Sequence, residues 1–132
     1  MIFVDSGIWI DYFNGTATPQ TDYLHDILGR RLVCTGDLVL VEVLQGFDRD
    51  RDVEQARRLM SLVEMITVSS PEIALQAAAN YRTLRAKGIT VRKTIDTLIA
   101  TRCIADDIAL LYSDRDFDAF AEHLGLRSAL AA

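Results

Sequence analysis

Five acidic side chains stand out by where they fall relative to apolar runs: Asp5, Glu42, Asp96, Asp114 and Asp116. Asp5 follows directly on the apolar run at residues 1–4, and Ser113-Asp114-Arg115-Asp116 follows directly on residues 109–112. Glu42 is an isolated acid among Leu38, Val39, Leu40, Val41, Val43 and Leu44, and Asp96 stands among Ile95, Leu98 and Ile99. An unpaired carboxylate in such surroundings is costly, so it must shift its pKa, find a cation or ligate a metal. Carboxylate oxygens without accompanying His or Cys donors suit hard divalent cations, Mg²⁺ or Mn²⁺. Ions of that kind can activate a water and stabilise the leaving oxygen of a phosphodiester, which is the chemistry of a metal-dependent nuclease. Each acid also has a structural explanation that the sequence leaves open. Asp5 or Ser6 can cap a following helix, Ser113 with Asp116 fits a capping box, Asp96 fits the first turn of a helix capped by Thr94, and Glu42 can pair with an arginine.

These positions can meet only if the chain brings them to one edge. Residues 1–4 form a continuous apolar run too short for a helix and ended by Asp-Ser-Gly, which predicts a buried strand. Residues 31–34, 65–68 and 109–112 predict three more, and an edge strand can follow from residue 126. Between them the apolar spacing predicts helices after Ser6 up to Asn14-Gly15, over 19–28, from an opening at Thr35-Gly36-Asp37 through Gln45 and closed by Gly46, and over 53–62. Ser69-Ser70-Pro71-Glu72 opens another, stopped by Gly88, and two more follow over 95–105 and 114–123. Alternation of this kind, with no hairpin signal, predicts a three-layer α/β fold: a mainly parallel central sheet with helices on both faces. In such sheets ligands bind outside the carboxyl ends of the strands, so Asp5 and the Asp114–Asp116 pair are expected on the same edge.

The chain of 132 residues is sized for a single domain, residues 1–132, that buries a core without disulfides or structural metal. Fourteen basic against nineteen acidic residues, a net charge of −5, exclude broad electrostatic attachment to nucleic acid or membrane but not a nuclease whose acids gather at a metal site. Cys34 and Cys103 lie in apolar runs and read as buried thiols of a reducing compartment. The N-terminus has no basic region before its apolar residues and no stretch reaches the ~20 apolar residues of a membrane span, so a soluble, cytoplasmic protein is expected. Five cations, Arg82, Arg85, Lys87, Arg92 and Lys93, occupy a segment without an acid between Glu72 and Asp96. Arg85 and Lys87 suit the carboxyl end of a helix, whereas Arg92 and Lys93 are candidates to touch a phosphate backbone. Trp9, Tyr12 and Phe13, with Tyr23, Leu24 and Phe47, exceed what one face of a short helix buries, which predicts an exposed apolar patch able to seat a partner helix, the alternative being that the helix over 19–28 folds over it and buries it internally.

Four blocks now become specific in combination: Ile2-Phe-Val-Asp5-Ser6-Gly-Ile-Trp-Ile-Asp11-Tyr-Phe13, Leu40-Val-Glu42-Val-Leu-Gln-Gly46, Thr90-Val-Arg-Lys-Thr-Ile-Asp96-Thr-Leu-Ile-Ala100 and Leu111-Tyr-Ser-Asp114-Arg-Asp116-Phe117. In order and spacing they resemble the PIN-domain family, most closely the VapC toxins of bacterial VapBC toxin–antitoxin modules, over essentially the whole chain. The resemblance implies a Mg²⁺-dependent endoribonuclease with Asp5, Glu42, Asp96 and Asp114 as an acidic quartet and Asp116 as a fifth, supporting acid. It also implies a dimeric toxin held inactive by a VapB-like antitoxin, with transfer-RNA loops among the substrates. Gly7 stands where the family often carries a second hydroxyl residue. A catalytically silent PIN-like module that binds RNA or a partner is the alternative. A receiver-type signalling domain would need a paired acid after the first strand and a lysine after the last, where this chain has Asp5-Ser6 and no lysine beyond Lys93. A haloacid-type phosphatase would need an acid at the position of Gly7.

Overall fold

A computed structural model describes residues 1–130. Four parallel strands, β1 (Ile2–Val4), β2 (Val33–Gly36), β3 (Glu64–Ile66) and β4 (Ala109–Leu111), form one sheet in the order β3-β2-β1-β4. The central strand β1 pairs Phe3 with Cys34 on one side and Val4 with Leu111 on the other. Its residues and those of β4 are all buried and apolar, as expected of a strand covered on both faces.

Seven α-helices follow in chain order: α1 (Ser6–Phe13), α2 (Pro19–Ile27), α3 (Asp37–Gln45), α4 (Asp50–Met60), α5 (Pro71–Ala86), α6 (Thr94–Ala105) and α7 (Asp118–Leu124). The α1 helix packs against α2 and α3, α3 against α4, and α5 against α6. This is the α/β architecture expected. Local chemistry sets several starts. The Ser70 hydroxyl accepts from the Ile73 amide and Pro71 fills the first position of α5, while Thr18 and Thr21 exchange bonds in a capping box at α2. Asp37 Oδ1 accepts from the Leu38 and Val68 amides at 3.0 and 2.9 Å, tying the start of α3 to the segment after β3.

Several expectations are corrected. Strand β2 lies two residues later than its apolar pattern suggests, because Leu32 is exposed while Thr35 and Gly36 are buried and pair with Met65 and Ile66. A side chain at Gly36 would place its Cβ 2.3 Å from Val68 Cγ2, so a glycine is needed there. Helix α4 starts earlier, at Asp50, where acids in its first turn and arginines in its last complement the dipole. The final helix is split into a 3₁₀ turn at Arg115–Phe117 and α7. Beyond Leu126 there is one isolated parallel bridge, Leu110 to Ser128, rather than an edge strand; the end of that expected strand, residues 131–132, lies outside the described residues.

Trp9 requires the largest correction. It is fully buried, not part of an exposed patch, and so is Leu24. Helix α1 lies between α2, α3 and the strand ends, so it buries more than one face. What remains at the surface is a half-buried rim of Tyr12, Phe13, Tyr23 and Phe47, with Phe13 and Phe47 in edge contact at 6.0 Å. Cys34 and Cys103 are buried free thiols, and burial pushes both thiol pKa values up, that of Cys34 to about 12. Among the described residues no helix is long and apolar enough to cross a membrane.

Candidate metal centre

Because β1 and β4 run parallel and end in register, Val4 beside Leu111, the residues that follow them leave the sheet together. Asp5 is the first of these. It occupies the N-cap position of α1, yet its carboxylate makes no capping bond, and Ser6 is already helical. Capping therefore does not account for an acid there. Glu42 projects from α3 and Asp96 from the first turn of α6. The cap position of α6 is Lys93, without a side-chain cap bond, so Thr94 is its first helical residue and not its cap. After β4, Asp114 rather than Ser113 is the capping residue: its Oδ1 accepts from the Asp116 amide at 2.9 Å.

A pocket of about 240 Å³ at this edge is lined by Asp5, Ser6, Gly7, Ile10, Glu42, Gln45, Lys93, Asp96, Ser113 and Asp114. Beside it, Asp96, Asp114 and Asp116 each place a carboxylate oxygen within 4.8 Å of the other two. All five sequence-selected acids thus gather at one edge. Gln45 and Ser113 were not selected for chemistry; Gln45 sits three residues after Glu42 and hence on the same helical face, a spacing that could have found it. At Gly7 an added Cβ would meet Ser113 Oγ at 3.5 Å, an ordinary contact, so a side chain there would be accommodated without a clash.

The electrostatics are those of crowded carboxylates whose charge no neighbouring hydrogen bond or cation fully offsets. Asp5 Oδ1, Glu42 Oε1 and Asp96 Oδ2 are buried and accept no hydrogen bond. No ion pair to Glu42 occurs among the described residues, so the arginine partner that could have explained it is not there. Burial raises the Asp5 pKa from 3.8 to about 7; the Ser6 amide opposes this, and repulsion from Asp96, Glu42 and Asp114 adds to it. Burial and the Asp114, Glu42 and Asp116 charges raise Asp96 to about 6, with Lys93 opposing. Arg92 is exposed and turns its Nε toward Asp116 Oδ2 at 3.4 Å. An all-oxygen set of crowded, unpaired carboxylates fits a hard divalent cation better than it fits a neutral or paired structural role.

A PIN domain family model matches residues 2–123, a span that contains every strand and every one of these acids. VapC ribonuclease Mb1587 of Mycobacterium bovis and ribonuclease VapC11 of Mycobacterium tuberculosis are each 28% identical to the chain over 131 residues, covering 98% of both partners. Among solved structures, VapBC2 of Rickettsia felis bound to a promoter DNA fragment superposes with a TM-score of 0.78 at 18% identity over 100% of both chains. VapC20 of Mycobacterium tuberculosis, described as a sarcin–ricin loop cleaving toxin, gives 0.66 at 20% identity over 90% of this chain and 94% of that one. The four-strand parallel sheet, the acidic edge and the match across both make the chain a member of the PIN domain family.

Proposed function

We propose that the chain is a divalent-metal-dependent endoribonuclease, the toxin of a type II toxin–antitoxin pair, working as a single domain over residues 1–132. In this reading Asp5, Asp96 and Asp114 hold Mg²⁺, or Mn²⁺ in its place, while Glu42 and Asp116 complete the acidic set. The observation that supports it most directly is the trio of buried carboxylate oxygens, on Asp5, Glu42 and Asp96, that nothing in the protein satisfies. A bound divalent ion would supply a water of lowered pKa and would offset charge on the scissile phosphate. The chain's own residues do the rest. Lys93, at the pocket wall, and the exposed Arg92 attract and orient the phosphate backbone, and Gln45 adds a neutral hydrogen-bonding group at the rim.

The similar solved structures include VapBC complexes, and on that basis we assign this chain a VapB-like antitoxin as partner. The relatives named ribonucleases and the sarcin–ricin loop cleaving neighbour support RNA loops, transfer RNA included, as the substrate we assign. The half-buried rim of Tyr12, Phe13, Tyr23 and Phe47 is the apolar surface available to an antitoxin helix. A cytoplasmic homodimer completes the reading.

The test is cleavage of a loop-containing RNA with Mg²⁺ or Mn²⁺, by wild type and by Asp96→Asn. Cleavage that stops in EDTA, leaves 5′-phosphate ends and falls at least a hundredfold in the variant is expected. Ends carrying a 2′,3′-cyclic phosphate, or activity indifferent to EDTA, would refute the mechanism, and a wild type that binds RNA without cutting it would leave a binding module instead. Independently of substrate, Mg²⁺ at a hundred times its Kd should stabilise wild type by about 2.7 kcal/mol and Asp96→Asn by much less.

A further inference from the structure

The carboxylate of Asp5 is buried among like charges and one of its oxygens has no hydrogen bond, so nothing bonded to that oxygen opposes the repulsion from Asp96, Glu42 and Asp114. Besides the Ser6 amide, which acts on the carboxylate, the backbone on either side of Asp5 governs where that carboxylate can lie. The peptide unit joining Val4 to Asp5 is held on both edges. On one edge the Val4 carbonyl accepts from the Thr35 hydroxyl at 3.0 Å and from the Trp9 indole Nε1 at 3.2 Å. On the other the Asp5 amide donates to the Leu111 carbonyl at 3.1 Å. The indole N–H also reaches Thr35 Oγ1 at 3.2 Å, which closes a three-membered set.

Thr35 and Trp9 are both fully buried, and Val4 lies beyond Phe3↔Cys34, the last pair of the β1–β2 ladder. The two side chains therefore grip the strand where regular pairing runs out. On the far side of Asp5, its own carbonyl accepts from the Ile8 and Trp9 amides at 3.2 and 3.4 Å, as the first turn of α1 requires. With the peptide before Asp5 clamped and the carbonyl after it engaged, the direction of its Cα–Cβ bond is set. Only the side-chain torsions remain free.

We propose that Thr35 and Trp9 are positioning residues for Asp5, holding its backbone so that its Cα–Cβ bond is already aimed at the metal centre. The inference rests on the metal-centre reading of the acids. A buried indole N–H and a buried hydroxyl each need an acceptor; here both take the same one, the carbonyl that immediately precedes this acid. Groups that orient a ligand without touching the metal typically change its affinity by 10–100-fold when removed.

The experiment is Mn²⁺ titration calorimetry on the whole chain, with metal-free urea unfolding of each variant alongside. Thr35→Val keeps the side-chain shape and removes the hydroxyl; Thr35→Ser keeps the hydroxyl and loses the buried methyl. Mn²⁺ affinity about tenfold weaker or more in Thr35→Val, and within about threefold of wild type in Thr35→Ser, is expected. A purely structural role would make affinity follow stability. Thr35→Val binding Mn²⁺ as wild type does, or Thr35→Ser binding as weakly as Thr35→Val, overturns the proposal. If Thr35→Val does not fold, Trp9→Phe, which removes the other donor and keeps an aromatic side chain of smaller volume, takes its place, with the same tenfold loss expected and wild-type affinity overturning the idea. Asp5→Asn in the same titration separates the two levels. If it binds Mn²⁺ as well as wild type, the metal-centre reading fails and the positioning role with it, whereas an Asp5-dependent affinity that is indifferent to Thr35 overturns the positioning role alone.

Discussion

Replacing Asp5 by Asn tests the acidic cluster through stability, without metal or substrate. The Asp5 pKa stands at about 7 in the folded protein against 3.8 in its absence. It is raised, so the native state keeps a proton that the unfolded chain has released between these values. The associated stability is fully present below about pH 4 and is lost as pH rises through about 7. A displacement of roughly three pH units at 1.36 kcal/mol each corresponds to about 4 kcal/mol withdrawn from the metal-free wild type by pH 8, and to roughly 1.7 kcal/mol at pH 5. Asn escapes this loss but buries an amide whose donors lack partners, at a cost of about 1–3 kcal/mol that does not vary with pH. Urea unfolding in EDTA should therefore find the variant close to wild type at pH 5 and more stable by about 1–3 kcal/mol at pH 8. Relief of repulsion on Asp96 acts in the same direction. Taking the difference between the two proteins cancels the surface carboxylates, which titrate alike in both. A difference that does not move with pH, or a variant less stable at pH 8, would show that Asp5 is not held in a desolvated, acid-crowded pocket.

Two further outcomes follow from the same structure. Gly36→Ala would bring its Cβ to 2.3 Å from Val68 Cγ2 and 3.0 Å from Phe3 Cζ, so urea unfolding should show a loss of about 1–3 kcal/mol; a neutral result would mean that the segment after β3 gives way freely. Arg92→Ala removes an exposed cation whose ion pair with Asp116 is largely solvated, so stability should stay within about 0.5 kcal/mol while the slope of log RNA affinity against log salt falls by about one; an unchanged slope removes Arg92 from the RNA-binding surface.

What the sequence disclosed and what it hid divide along physical lines. Asp5 and the Asp114–Asp116 pair could be brought together on paper, because strands of a parallel sheet end on one edge and each acid directly follows an apolar strand. Glu42 and Asp96 were recognisable as misplaced charges in apolar helices, but only the packing of α3 and α6 carries them to that edge. Trp9 was misread because counting apolar residues on a short helix assumes a single buried face, whereas α1 is enclosed by α2, α3 and the strand ends. Thr35 went unnoticed for the opposite reason. Its role depends on a carbonyl thirty-one residues away, and no local pattern records which backbone group a buried hydroxyl will meet. The displacement of β2 has the same origin, since Thr35 and Gly36 read as the opening of the next helix yet are buried by strand pairing and by the close approach of Val68.

The features that resist local explanation are concentrated at the edge where β1 and β4 end, and they depend on one another. Neighbouring acids in a desolvated pocket repel one another, so at neutral pH a neutral side chain in place of Asp5 or Asp96 relieves a repulsion that the fold otherwise carries. Keeping Asp5 and Asp96 there makes sense only if something positive offsets them, and at neutral pH the alternatives are a proton or a cation. A proton neutralises one carboxylate at a time and leaves the others crowded. A divalent cation engages several together and removes the repulsion among them, which is why a cluster of this kind prefers it. That preference holds only while the carboxylates stay close enough to share one ion. Mutual repulsion works against such closeness, and the fixed Val4–Asp5 peptide, gripped from β2, α1 and β4, opposes the repulsion through rigid backbone, while one Asp5 oxygen has no hydrogen bond to hold it.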